Sequence, residues 1–326
     1  MRTLIFIFVC FTSLSSIAQR STKLSSSQRG EIMLIEKKMQ RIGAQFLADS
    51  NQEIRLKGTR EFVKLLVEAL KVENSFQYKF DSLPYLATIM PEDSSFRIFT
   101  FQIVLQNITF RHYGAIQLNR KNIKLIPLRD FSDTFPTTPQ FTITNKNWLG
   151  AVYYRIITKK VNDKPIYFLF GFDQNDILAD KKYIEAMWIE KDSIAKFGMP
   201  IFEKTTTEII PPRPSKFGNA PSRPEPPIVK TKIYYRYVLE YRKGSSVSIK
   251  YDKSKDLITH DHTPPMDGKN KDIGFIKVPD GTYEGLQWTK DKWIWVEYVK
   301  LADKETNGEF RPAPLKDVRK LPPKEQ

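Results

Sequence analysis

The periodicity of apolar residues changes once along the chain, at about Phe96. Before that point, apolar residues recur every three or four positions, which is the spacing of an amphipathic helix. After it, they alternate with polar residues, as in a strand with one face in a core. Helical patterns do not return between the later strands, which favours antiparallel pairing. We therefore expect an α+β fold: an N-terminal helical pair followed by a predominantly antiparallel β domain, built as a curved sheet, a sandwich or an incomplete barrel.

Two amphipathic segments make up the predicted helical pair. The apolar seam of the first contains Ile32, Ile35, Met39, Ile42 and Phe46, and that of the second contains Phe62, Leu65, Leu66, Ala69 and Leu70. Seams of this length are typical of core faces, because a coiled coil needs sustained heptads. The two segments are expected to form a helical hairpin that packs on or beside the β domain.

Strand candidates follow one another at short intervals through the rest of the chain. They are 99–105, 113–118, 123–128, 149–157, 166–172, 183–190, 233–242, 247–251, 257–262, 286–288 and 293–299. The last two are expected to form a hairpin. No fixed-period repeat is evident, so the pattern does not favour a propeller.

Proline-rich sequence interrupts the strand series at 211–227, and a proline- and lysine-rich stretch begins at 303. Such compositions favour an extended polyproline conformation and do not build a packed core. We therefore predict a helical region over 19–92 and a β domain over 93–302 with a disordered excursion at 211–227. A disordered basic tail is predicted for 303–326.

The first eighteen residues have the three-part pattern of a secretory signal peptide. Arg2 supplies positive charge, a short apolar run follows at 4–11, and small residues lead to Ala18. The run is shorter than the ~20 apolar residues that a membrane-spanning helix requires. Cleavage after Ala18 would also remove Cys10, the only cysteine, and with it any disulfide or thiolate chemistry. We expect an exported protein, either periplasmic or secreted, with a signal peptide over 1–18.

Several short segments of the strand region occur in a distinctive order. They are FTFQ at 99–102, YGAIQL at 113–118, WLGAVYYRI at 148–156, YFLFGFDQND at 167–176, FGMPIF at 197–202, SIKYD at 248–252 and PDGTYEGL at 279–286. In pattern and order, they resemble an uncharacterised family of exported proteins of Bacteroidota-type Gram-negative bacteria. The resemblance implies export and a unified fold. Because that family has no assigned activity, it implies no functional residue.

Two of the three histidines lie two residues apart on a predicted strand. His260 and His262 therefore share a face, with Asp256 and Asp267 close to them in sequence. Imidazole nitrogens and a carboxylate oxygen are ligands that zinc, copper or nickel accept. The pattern predicts a possible divalent-metal site, and a hydrogen-bonded pair at a strand end is the alternative.

An acidic cluster follows the apolar strand at 166–172. Asp173, Asn175 and Asp176 supply carboxylate and amide oxygens, the ligands that calcium prefers. The glycine and the distant glutamate of an EF-hand loop do not follow at the required spacing. The cluster is therefore a candidate ligand site or, as the alternative, a turn built by Asx side chains.

Three tryptophans lie in the predicted C-terminal hairpin. If Trp288, Trp293 and Trp295 are exposed, they form a stacking platform for a sugar or a peptide. If they are buried, they contribute a large apolar area to the core. The sequence leaves both interpretations open.

Composition and missing motifs restrict the function classes. A formal net charge of +15 favours anionic partners such as an envelope polymer or a membrane surface. Nucleic acid is not expected, because no recognisable binding module is present. The G-x-S-x-G, H-E-x-x-H, phosphate-loop and dinucleotide motifs are absent. We expect an exported, non-enzymatic binding or structural component of the cell envelope. The alternative is a hydrolase of envelope glycan or peptide that uses carboxylates or a histidine-bound metal.

Overall fold

The computed structural model describes residues 23–120, 123–135, 137–190, 194–208 and 227–300. The predicted signal peptide lies outside the described residues. So do nearly all of the proline-rich excursion at 211–227 and the whole of the tail at 303–326.

Two α-helices precede three β-sheets. The helices are α1 (Ser26–Ala48) and α2 (Gln52–Lys71). The strands are β1 (Ala87–Ile89), β2 (Phe96–Val104), β3 (Phe110–Leu118), β4 (Leu125–Arg129), β5 (Ile143–Thr144), β6 (Val152–Val161), β7 (Lys164–Asp173), β8 (Ala179–Glu190), β9 (Ile194–Phe197), β10 (Phe202–Glu208), β11 (Ile228–Tyr234), β12 (Arg236–Arg242), β13 (Ile249–Asp252), β14 (Leu257–Asp261), β15 (Tyr283–Thr289) and β16 (Lys292–Val296).

The strand orders define the three sheets. The first sheet is β1-β2-β3-β4, the second is β5-β9-β8-β7-β6 with β12 also paired to β8, and the third is β11-β10-β16-β15-β14-β13. Among the described strands, only β10 and β16 pair in parallel. The predicted α+β class, with a helical pair followed by mostly antiparallel sheets, is confirmed.

The helices and the sheets stack as four layers. Alternate residues of β2 point to opposite sides of the first sheet: Phe99 and Phe101 face the helices, whereas Phe96 and Ile98 face the second sheet. The opposite face of the second sheet packs on the third sheet. The second sheet is therefore covered on both faces.

The sequence of strand β7 reflects this burial on both faces. Tyr167 and Leu169 lie in the core shared with the first sheet, and Phe168 and Phe170 lie in the core shared with the third. A strand buried on both faces has no solvent side, so it reads as a continuous apolar run.

The helical hairpin forms as the sequence predicts. Asn51 caps α2 by accepting a hydrogen bond from the Glu53 N–H at 2.8 Å. Glu53 and Lys71 lie in its first and last turns, where their charges complement the helix dipole. None of the described helices is both long enough and apolar enough to cross a lipid bilayer.

The predicted single strand at 233–242 is wrong, because the chain changes sheets at Tyr235. Residues before it belong to β11 in the third sheet, and residues after it belong to β12 in the second. The Tyr235 N–H donates to Gln140 Oε1 at 2.8 Å, and its carbonyl accepts from the Met199 N–H at 3.2 Å. These non-local contacts replace the ladder hydrogen bonds that a continuous strand would make.

The next residue anchors the crossing. Arg236 is 1 % exposed, and its Nε donates to Glu185 Oε2 at 2.8 Å across the β12–β8 pair. Its two terminal nitrogens donate to the carbonyls of Pro139, Phe141 and Phe197. The buried cation is thus matched by a carboxylate and three carbonyl oxygens.

Candidate functional site

The structure separates the predicted metal ligands into different surroundings. The Asp256 carboxylate contacts Lys159 and the Tyr251 hydroxyl rather than either histidine. Asp267 accepts hydrogen bonds from backbone N–H groups two and three residues further on, at 2.9 and 3.0 Å. Asp267 therefore closes a local turn, whereas Asp256 pairs with Lys159 of β6 in the second sheet.

The two histidines also differ from each other. His260 is buried, with Nε2 at 2.7 Å from the Tyr237 hydroxyl and Nδ1 at 2.9 Å from the Asp261 carbonyl. Its burial lowers the pKa of the imidazole. His262 is half-buried beyond the end of β14, with Nδ1 at 2.8 Å from Asp280 Oδ2. Within the described ranges, no three His, Cys, Asp or Glu side chains are placed to hold a metal ion. The metal site stays a prediction.

The acidic cluster forms two consecutive turns. Asp173 Oδ1 accepts from the Asn175 N–H at 2.7 Å, and Asp176 Oδ1 accepts from the N–H groups of Leu178 and Ala179 at 2.7 and 2.9 Å. Asn175 has a φ of +49°, a conformation that asparagine tolerates well. The arrangement corresponds to the Asx-turn alternative.

The tryptophans line the inner side of the third sheet. Trp293 is fully buried, and Trp288 packs edge-on against it at a centroid distance of 5.0 Å. Trp295 lies on the same face at the margin of the core, with Lys204 Nζ 3.7 Å from its ring centroid. Trp293 thus belongs to the core. The half-buried rings of Trp288 and Trp295 do not form a flat exposed platform.

A cavity opens beside the edge strand β1, between the connection from α2 to β1 and the start of β6, at a place that the sequence does not single out. Its volume is about 580 Å³, within the ~300–1,000 Å³ range of small-molecule sites. Its wall combines the connection from α2 to β1, strand β1 itself and the first residues of β6. Prominent lining residues are Phe76, Phe80, Thr88, Arg97, Tyr153 and Tyr154.

Local structure explains how this wall is held. Tyr78 and Phe80 pack edge-on at 4.9 Å, and Phe80 packs on Phe99 of β2 at 5.9 Å. The Tyr153 N–H donates to Thr100 Oγ1 at 2.9 Å, which joins β6 to β2 across the two sheets. The cavity is therefore built between fixed elements.

Among the described residues that line the cavity, Arg97 is the one buried cation. It is 3 % exposed, and its guanidinium lies 4.7 Å from the ring centroid of Phe99 and 5.5 Å from that of Phe80. Its Nε donates to Gln117 Oε1 at 2.8 Å, on the neighbouring strand. Burial lowers its pKa to about 9, so the side chain remains charged at neutral pH.

The sequence did contain a signal for this residue. In β2, Arg97 has the same parity as Phe99 and Phe101, which places it on the apolar face toward the helices. An arginine on the same strand face as core phenylalanines is unusual and indicates a buried charge that needs a partner. The cavity itself carries no sequence signal, because it depends on how the α2–β1 connection, β1 and β6 come together.

Comparison with family models, with curated proteins and with solved structures found no match for this chain.

Proposed function

We propose that this protein is an exported, non-enzymatic binding protein of the cell envelope, which holds a small molecule in the cavity beside β1. The observation that carries the proposal is the cavity itself. Its volume and its wall, in which aromatic and aliphatic side chains outnumber polar ones, are typical of small-ligand sites.

The ionisable groups of the wall favour binding over hydrolysis. Among the described lining residues, Asp81 is the single carboxylate, and none is a histidine. Glycoside hydrolysis ordinarily requires two carboxylates that flank the scissile bond. The proposal of export rests on the signal-peptide pattern of residues 1–18.

Native mass spectrometry of the protein recovered from its own cells tests ligand binding. We expect a mass above that of the polypeptide, which returns to the polypeptide mass on denaturation. Thr88→Phe should abolish the excess mass, because Thr88 lines the cavity and a phenyl ring there would occupy the space of the ligand. The substitution breaks no hydrogen bond of the Thr88 side chain among the described residues. Thr206→Phe makes the same change at an exposed position of β10 and should retain the ligand.

The same denatured spectra test export. The mature N-terminus should lie at or close to Gln19. Intact Met1 on most of the protein would contradict export, and wild-type protein without excess mass would contradict ligand binding.

A further inference from the structure

Arg97 is a buried cation whose hydrogen bonds go only to neutral groups. Its terminal nitrogens donate to the carbonyls of Tyr78 and Ser75, and its Nε donates to the Gln117 amide. A guanidinium has five N–H groups. Three are thus accounted for, and two have no partner in the part of the chain that the structure describes.

The comparison with Arg236 shows what is missing. Arg236 is equally buried and has a carboxylate partner in Glu185 at 2.8 Å. No described carboxylate forms a salt bridge with Arg97. Because a buried charge is costly unless it is paired, an arginine without a carboxylate requires another source of stabilisation.

Three phenylalanine rings supply part of that stabilisation. Phe76, Phe80 and Phe99 lie with their centroids 4.7 to 5.5 Å from the guanidinium carbon. The rings also form an apolar surround in which an anion paired with Arg97 would be poorly screened by water. The cavity gives such an anion a place to bind, because Arg97 is part of its wall.

We infer that the cavity takes an amphiphile with an anionic headgroup, a carboxylate or a phosphate, whose charge pairs with Arg97 and whose apolar body lies against the aromatic wall. This inference rests on the proposed function and adds the ligand class to it. Thr88 Oγ1, buried at the same wall without a partner, offers the ligand one further hydrogen bond.

Three probes with the same alkyl chain test the inference by titration calorimetry: octanoate, octyl phosphate and 1-octanol. At least one anionic probe should bind about tenfold or more tightly than 1-octanol, because charge-assisted hydrogen bonds are stronger than neutral ones. Preference for octanoate identifies a carboxylate ligand, and preference for octyl phosphate identifies a phosphate ligand.

A substitution that supplies the missing charge internally makes the test specific. Gln117→Glu places a carboxylate at the position from which Gln117 Oε1 accepts the Arg97 Nε–H, at nearly constant shape. The affinity for the preferred anionic probe should fall by about tenfold or more, while that for 1-octanol should stay unchanged. Gln106→Glu adds the same charge at an exposed position beyond the far end of β2 and should leave both affinities unchanged.

The outcomes separate this inference from the proposed function. Equal affinities for all three probes, or an anion affinity that Gln117→Glu leaves intact, would overturn the inference. Failure of both anionic probes to bind would also overturn it, and a natively bound molecule in the mass spectrum would still support a binding protein. The comparison of the three probes uses the folded wild-type chain, so the inference can be overturned even if Gln117→Glu fails to fold.

Discussion

Gly150 shows how tightly single residues are constrained at the junction of the first two sheets. Its φ is +81°, in the left-handed region that favours glycine. A Cβ at this position would lie 2.8 Å from both Asp130 Oδ1 and His112 Nδ1. A side chain at position 150 is therefore disfavoured both by the backbone conformation and by the lack of space.

A pair of alanine substitutions separates these two restrictions. Gly244 has the same φ of +81°, but a Cβ there would meet nothing within 4 Å. We expect Gly244→Ala to lower the free energy of unfolding by about 1 kcal/mol through backbone strain alone. Gly150→Ala should cost roughly 2 kcal/mol more, because it also displaces a buried ion pair. Urea denaturation measures both values, and equal losses would show that crowding at Gly150 is unimportant.

At the scale of elements, one buried histidine connects three strands. His112 of β3 has Nδ1 at 3.4 Å from Asp130 Oδ2, next to β4, and Nε2 at 3.5 Å from Asp173 Oδ1, at the end of β7. Asp130 Oδ2 also accepts from the His112 backbone N–H at 2.7 Å. The contact to Asp173 ties the first sheet to the second. Sequence reasoning missed the cluster, because its three members are far apart along the chain.

The charge of His112 makes this connection dependent on pH. Burial opposes the imidazolium, but the carboxylates of Asp130 and Asp173 outweigh it and raise the pKa of His112. The protonated ring therefore stabilises the folded state most fully below its unfolded pKa of about 6.5, and this contribution is lost as pH rises through the folded pKa.

The His112→Gln substitution tests this dependence. The loss in unfolding free energy relative to wild type should be largest at the acidic end of a pH 6 to 9 series and should shrink as pH rises. Tyr183→Phe is the control, because it removes a hydroxyl that lies 3.3 Å from Asp173. Burial raises the pKa of the Tyr183 hydroxyl well above its usual range, so this group stays neutral over the series. The cost of Tyr183→Phe should be constant over the series. A constant cost for His112→Gln would contradict the prediction.

Local pattern accounts for most of the elements, and non-local contacts account for the failures. The helical seams follow their predicted period, and most predicted strands form, although β2 and β7 are buried on both faces. Strand β10 was not predicted: its threonine-rich part at 204–208 lacks apolar alternation, and its first residues, Phe202 and Glu203, pair with β16, which is distant in sequence. The break at Tyr235 depends on Gln140, almost a hundred residues earlier in the chain.

For the molecule as a whole, the positive net charge governs long-range interactions with other surfaces. The formal net charge is +15, and removal of residues 1–18 would leave +14, because Arg2 is the one charged residue among them. Such an excess attracts anionic surfaces through long-range Coulomb forces that salt screens. This effect is separate from the proposed binding in the cavity, where the charge of Arg97 is buried.

Co-sedimentation with lipid vesicles tests this property. The protein should bind phosphatidylglycerol vesicles at low salt and be released as the Debye length falls from ~10 Å at 0.1 M to ~3 Å at 1 M salt. Neutral phosphatidylcholine vesicles should not bind it at any salt concentration. Binding that is insensitive to salt would instead indicate apolar contacts, and the absence of binding at low salt would mean that the charge only solvates the surface.

The doubly covered second sheet also limits how this protein can be modified. In β7, a change at Phe168 disturbs one core and a change at its neighbour Leu169 disturbs another, so no position along that run accepts a polar group cheaply. Fluorophores, affinity tags and crosslinkers belong on the outer layers, for example at Leu34 of α1, which is 61 % exposed. For the same reason, natural variants should accumulate in the helices and the third sheet and leave the second sheet nearly unchanged.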